Sequence, residues 1–258
     1  MSSLECLVSN VRKGIEGTLL ESCLVELVLY GSIVRGDYDS DISDIDLFYI
    51  VNDACKDDIT WINHVLGNIT ESALRICGVE KPRRGIDLAW CLRSEIESSP
   101  ALCEYKFLTL YREDFEQSSI LVLGEKLHTL LPAPSPEDAV RQALKRLSRR
   151  VVEFAEKNPS LLPILAGEVV KLVLLSNGYK GPWVKQAVYR ALQRTDPVLA
   201  DIWRNYLDGK PLPAREALQV IRYALNRLCG GKFGGECRAV KAAIEEARAL
   251  LEKKEEQH

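Results

Sequence analysis

Asp44, Asp46 and Asp87 are the residues whose types and spacing suit catalysis. Asp44-Ile45-Asp46 opens an apolar run, Ile45 to Val51, that reads as a β-strand. Alternate side chains of a strand share a face, so residues two apart lie about 7 Å apart on one side. Asp44 and Asp46 therefore point one way, while Ile45 and Leu47 point into a core. Two carboxylates held side by side repel one another unless a hard cation sits between them. Mg²⁺ suits that place, taking one or two carboxylates and completing its shell with water and phosphate oxygens. Asp87 lies inside a second strand-like run, Arg84-Gly85-Ile86-Asp87-Leu88-Ala89-Trp90. An acid within an apolar strand is costly unless it is paired or metal-bound.

The elements that must position these acids follow from the same stretch. An apolar run, Leu24 to Tyr30, stops at Gly31-Ser32, and polar, turn-prone residues lead on to Asp44. Strands are predicted over about 25–30, 44–51 and 85–92. An amphipathic helix is predicted from Leu4, Leu7, Val8, Val11, Ile15 and Leu19, and a long one from Ile59 to Leu74. Asp57 and Asp58 stand near the start of the second, where the helix dipole favours acids. Residues 94–131 read as helices and connectors. Strands alternating with helices imply a small mixed sheet with helices packed on one side.

Tyr30 to Leu47, YGSIVRGDYDSDISDIDL, resembles the signature of the polymerase-β-type nucleotidyltransferases. That signature is a Gly-Ser turn after the first strand, a loop, and Asp-x-Asp at the start of the next strand. Gly31, Ser32, Arg35, Gly36, Ser43, Asp44 and Asp46 occupy the matching positions, and Asp87 supplies the third carboxylate from a later strand. The resemblance implies two Mg²⁺ ions, about 3.5–4 Å apart in two-metal sites, held by Asp44, Asp46 and Asp87. It implies a nucleoside triphosphate, ATP, as donor. Gly31 would let the backbone approach the phosphates, and Ser32 and Ser43 would belong to the nucleotide site. Arg35 would neutralise phosphates or brace the acidic loop. Asp87 would be a metal ligand, the base, or both.

Leu121-Val-Leu-Gly124 through Pro136 resembles the join between catalytic and helical domains in the aminoglycoside adenylyltransferases that modify streptomycin and spectinomycin. The fold class expected is α+β: a nucleotidyltransferase domain over 1–133, then an α-helical bundle over 134–258. The bundle would form the acceptor-binding wall of a cleft, and the acceptor would be a small molecule bearing a hydroxyl. The aminoglycoside branch typically carries a Glu base where this chain has the shorter Asp87. Ser135-Pro136-Glu137-Asp138 reads as a helix start. Further helices are predicted near 160–177, 182–194, 197–207, 213–229 and 236–254. In related enzymes a basic residue of the helical half often touches the triphosphate. Lys185 is the favoured contact here, and Arg141, Lys145 and Arg149, flanked by Arg146 and Arg150, read as a solvated face.

Composition narrows the alternatives. The 258 residues are 47% hydrophobic and carry a net charge of −3, which suits real cores and disfavours nucleic acid as a partner. No uninterrupted apolar run approaches a membrane span, and the first residues lack a signal-peptide layout, so a cytoplasmic protein is expected. The sequence leaves the oligomeric state open. An RNA- or protein-directed transferase is a competing reading, although no aromatic-basic stripe supports RNA. A nucleotide-binding regulatory or antitoxin-type module is another. The toxin-paired form carries Arg-x₄₋₆-His in its helical half, where this chain has no His between His128 and His258. The eight cysteines include no C-x-x-C pair and read mainly as buried thiols. Intracellular disulfides are expected only if the source is a hyperthermophile. Cys229-Gly-Gly-Lys-Phe-Gly-Gly-Glu-Cys237 lacks P-loop order and reads as a flexible joint.

Overall fold

Four strands, β1 (Leu24–Tyr30), β2 (Ile45–Val51), β3 (Ile86–Leu92) and β4 (Ile120–Gly124), form one sheet in the order β3-β2-β1-β4. The computed structural model describes residues 2–98, 112–130, 135–208, 210, 212–229 and 233–255. β1 is antiparallel to β2 and β4, and β2 is parallel to β3, so the sheet is mixed as expected. β4 corrects the reading of its stretch as a connector. Ile120–Gly124 is a five-residue apolar run without alternation, and periodicity does not distinguish such a run from a helix or a join. The open edge of β1 decides it.

Alternation sends Leu27, Leu29, Ile45, Leu47, Tyr49 and Val51 to one face. There they meet Leu7, Val11 and Ile15 of α1 (Ser3–Ile15) and Ile62, Leu66 and Leu74 of α4 (Ile59–Ile76), the two longest helices among the described residues before Ala133. α2 (Leu19–Cys23) and α3 (Ser32–Arg35) bracket β1. Each fully buried Leu or Ile contributes about 1.5–3 kcal/mol, so truncating Leu47 or Leu66 would unseat this layer. The helix start of α1 is closed by a capping box, with Ser2 and Glu5 exchanging side-chain to backbone hydrogen bonds. The opposite face carries Val28, Tyr30, Phe48, Ile50, Ala89 and Cys91. Two short helices, α5 (Arg93–Ser98) and α6 (Arg112–Gln117), supply Ile96 and Phe115 to it. Phe115 meets Tyr30 and Phe48 edge-on, with ring centroids 5.0 and 6.0 Å apart.

The chain divides into two compact units, Met1–Ala133 and Pro134–His258. The described elements of the second are helical: α7 (Pro136–Lys157), α8 (Leu162–Ser176), α9 (Lys185–Thr195), α10 (Pro197–Leu207), α11 (Ala214–Leu228) and α12 (Gly234–Glu255). Ser135 caps α7, its hydroxyl accepting from the Asp138 N–H at 3.1 Å, with Pro136 in the first turn. α12 packs along α7, and α11 along α8. Pro159–Ser176 has a mean hydropathy of 1.6, long and apolar enough to cross a membrane on those two criteria alone. Burial within the unit accounts for it: nine residues of α8 are buried, including Glu168, which takes a 2.5 Å ion pair from Arg146. Arg146 therefore belongs to the interior, which corrects its place beside a solvated basic face.

The cysteines also depart from the thiol reading. Cys6–Cys77, Cys23–Cys55 and Cys229–Cys237 are disulfides, Cys91 is disulfide-bonded too, and no described cysteine is free. Cys6 and Cys77 are 71 residues apart in sequence and 5.7 Å apart between Cα atoms, a proximity that only the packing of α1 on α4 creates. The segment read as a flexible joint before α12 is closed by Cys229–Cys237.

Candidate active site

β1 delivers the chain to Gly31, which adopts φ +82°, a region that L side chains rarely enter. A Cβ at Gly31 would lie 2.0 Å from the Asp46 Oδ2 and 2.9 Å from its Cγ. Glycine is needed here because the backbone turn and the carboxylate occupy the same space. In the β1–β2 register Tyr30 stands opposite Asp46, which brings the turn and the acid together. The chain then makes α3, leaves through Gly36 in the left-handed region, and returns to β2 through a loop rich in aspartate.

The parallel register of β2 and β3 sets Asp46 beside Asp87, and Asp44 immediately precedes β2. One carboxylate oxygen from each of Asp44, Asp46 and Asp87 lies within 4.8 Å of the others. Oxygens that share a Mg²⁺ sit about 2.0–2.1 Å from it, hence up to about 4 Å apart, so small side-chain rotations bring the three onto one ion. Asp44 and Asp46 are half-buried and Asp87 is exposed, which leaves an open side for a ligand. The donor set is all oxygen, the chemistry that a hard divalent cation selects.

The other predicted residues fall into three groups. Ser32 is buried, and its Oγ has no hydrogen-bond partner. Such an orphan costs about 1–3 kcal/mol, and a ligand oxygen would satisfy it. Arg35 and Ser43 make contacts within the protein. The Arg35 guanidinium pairs with Asp114 of α6 at 3.0 Å and with Asp37 at 3.5 Å. The Ser43 hydroxyl accepts from the Asp39 N–H at 3.1 Å and closes the acidic loop. Lys185 belongs to the other unit, at the start of α9, where its carbonyl accepts from the Trp203 indole N–H at 2.9 Å. Arg141 pairs with Glu236 at 2.8 Å and Glu137 at 3.3 Å. Its pKa is raised, chiefly by the hydrogen bond to Glu236.

Sequence reasoning did not find Tyr38, Glu80 or Asp114. Tyr38 lies in the acidic loop, and its hydroxyl donates to the Glu80 carbonyl at 2.6 Å. Its pKa is raised, first by burial and then by the charges of Glu80, Asp39 and Asp44. Asp114 is 79 residues from Arg35, and no local signal in the sequence links the two.

A family model described as "Nucleotidyltransferase domain" matches residues 13–155, more than half of the chain. The chain belongs to the nucleotidyltransferase-domain family. The match takes in β1–β4, all three acids and most of α7. No curated protein matches the sequence. Among solved structures the chain is similar to the spectinomycin adenyltransferase AAD(9) from Enterococcus faecialis, solved with ATP and spectinomycin. The identity is 14%, the TM-score is 0.46, and the alignment covers 97% of this chain and 98% of that one. This nucleotidyltransferase is therefore an enzyme whose acids converge at one end of a mixed sheet.

Proposed function

We propose that this nucleotidyltransferase moves AMP from ATP onto the hydroxyl of a small, aminoglycoside-like acceptor, with Mg²⁺ and with release of pyrophosphate. The observation that carries the reading is the convergence of Asp44, Asp46 and Asp87 within 4.8 Å beside the Gly31-Ser32 turn. Two Mg²⁺ ions held by these acids would neutralise the triphosphate and acidify the acceptor hydroxyl. The chain's own groups do the rest. Gly31 leaves room for the Asp46 carboxylate against the turn. The buried Ser32 hydroxyl donates to a phosphate oxygen and gains the partner it lacks. On this reading Asp87, the most exposed of the three acids, takes the proton as the acceptor oxygen attacks the α-phosphorus in line. Catalysis on this reading is positioning and charge neutralisation on a rigid sheet. The acceptor class rests on the chain's resemblance in motif and domain order to the aminoglycoside adenylyltransferases, with residues 134–258 carrying acceptor choice and Lys185 contacting the triphosphate.

Pyrophosphate release from ATP, measured with Mg²⁺ across a panel of aminoglycosides, tests the reading. Asp44→Asn and Asp46→Asn should each abolish release while the fold persists. The variants should melt no lower than the parent in EDTA, because each removes one of several repelling charges. Release that survives either substitution would sink the assignment.

A further inference from the structure

Two segments deliver the acids. The stretch from Asp37 to Asp46 carries Asp37, Asp39, Asp41, Asp44 and Asp46, while the segment before β3 carries Glu80 with Lys81, Arg83 and Arg84 and leads to Asp87. The carboxylates of Asp44, Asp46 and Asp87, within 4.8 Å of one another, repel when no cation lies between them. Besides the β2–β3 pairing, hydrogen bonds and an ion pair join the two segments. The Tyr38 hydroxyl donates to the Glu80 carbonyl at 2.6 Å. The Arg83 N–H donates to the Ser40 carbonyl at 2.8 Å, and the Ile45 N–H to the Gly85 carbonyl at 3.2 Å. Arg83 also pairs with Asp41 at 2.9 Å, but with side chains 78% and 60% exposed, where an ion pair contributes little. Tyr38 is the one side-chain tether in this set that is itself packed, since its ring lies against the core of α1, α4 and the sheet.

Resting on the metal reading of the site, we propose that Tyr38 is a positioning residue: it clasps the Asp44–Asp46 loop to the Asp87 segment and pre-assembles the three carboxylates before a cation arrives. The physical consequence is a population effect. A cation binds the assembled arrangement, so its apparent affinity falls in proportion to the fraction of molecules assembled beforehand. Loss of the hydroxyl lowers that fraction while the aromatic ring keeps its packing.

The test is Mn²⁺ binding to the nucleotide-free protein, followed by the loss of the free-ion paramagnetic signal, together with melting curves in EDTA. Tyr38→Phe should weaken Mn²⁺ binding about three- to tenfold, the worth of one hydrogen bond. The Mg²⁺ needed for half-maximal pyrophosphate release should rise by the same factor, with kcat at saturating Mg²⁺ unchanged. Arg83→Ala should do much less. Wild-type Mn²⁺ affinity in a folded Tyr38→Phe protein overturns the clasp and leaves the metal site standing, even if the melting temperature has dropped. Mn²⁺ binding by the parent that Asp46→Asn does not weaken overturns the metal reading, and the clasp with it.

Discussion

The two ends of the sheet are held together by different means. Where β2 and β3 begin, the loop before β2 carries four aspartates, Asp46 follows on the strand, and hydrogen bonds and an exposed ion pair join this stretch to the segment before Asp87. At the opposite end, the entry to β1 is joined to the exit of β2 by the Cys23–Cys55 disulfide and by the Asn52 N–H on the Cys23 carbonyl at 2.9 Å. There Asp53, just past β2, also accepts from the Ser94 N–H at 3.1 Å and from the Ser94 hydroxyl, joining the exits of β2 and β3. The Cys23–Cys55 bond fastens the end of the sheet away from the three acids. The reactive end keeps mutually repelling carboxylates and an unpartnered hydroxyl, a cost that only a ligand can offset. Substitutions at the two ends should therefore separate activity from stability in opposite directions.

Gly31→Ala should have the largest effect. Its Cβ would fall 2.0 Å from the Asp46 Oδ2, and φ +82° is itself unfavourable for Ala. We expect a stability loss of about 1–3 kcal/mol from the strained backbone. A displaced Asp46 should lower the rate by about a hundredfold, as an ångström of misplacement does. Full pyrophosphate release by this variant would mean that Asp46 tolerates another position, and the reactive end would be less constrained than the geometry indicates.

Cys23→Ser with Cys55→Ser should come next, and only in stability. Closing a loop of 32 residues contributes about 3–4 kcal/mol on a chain-entropy model, so the melting temperature should fall well below the parent's. Pyrophosphate release per folded molecule should be unchanged. A fall in release matching the fall in stability would show that the two ends are mechanically coupled.

Ser32→Ala should behave in the opposite sense to the disulfide pair. The buried hydroxyl lacks a partner without ligand, so its removal should leave the ligand-free protein as stable as before, or more so. The KM for ATP should rise about tenfold, because a bond to a charged phosphate oxygen is lost. A destabilised variant with normal KM would assign Ser32 to the scaffold.

How far the sequence revealed this division depends on the residue. The three acids were legible because Asp44 and Asp46 alternate at a strand start and Asp87 interrupts an apolar strand. The helices of the second unit were legible from apolar spacing and proline punctuation, and Ser135 from its place before Pro136. β4 was not, since five apolar residues fit several structures and its pairing with β1 is a long-range fact. The disulfides were hidden for the same reason: Cys6 and Cys77, or Cys23 and Cys55, share no local spacing motif. The ion pair between Arg35 and Asp114 was not legible either, since 79 residues separate them in the sequence.

The smallest effect expected is at the inert end, in acid. The Asp53 carboxyl is held below the usual aspartate range, first by the hydrogen bond from the Ser94 hydroxyl, with the Ser94 N–H and Arg93 adding to it and desolvation opposing. A carboxylate with a depressed folded-state pKa contributes stability that is fully present above its unfolded pKa, about 3.9 for Asp. That contribution is lost as pH falls through the lower folded-state value. The contribution of Asp53 to the melting temperature should therefore be constant around neutral pH and should fall away below about pH 4. Asp53→Asn removes the titrating group and leaves an oxygen for the Ser94 N–H. Its melting curve should decline less steeply in acid than the parent's, while pyrophosphate release at neutral pH stays the same. Parallel acid limbs for the two proteins would remove the Asp53–Ser94 contact from the set that holds this end, and the disulfide would then be its principal fastening.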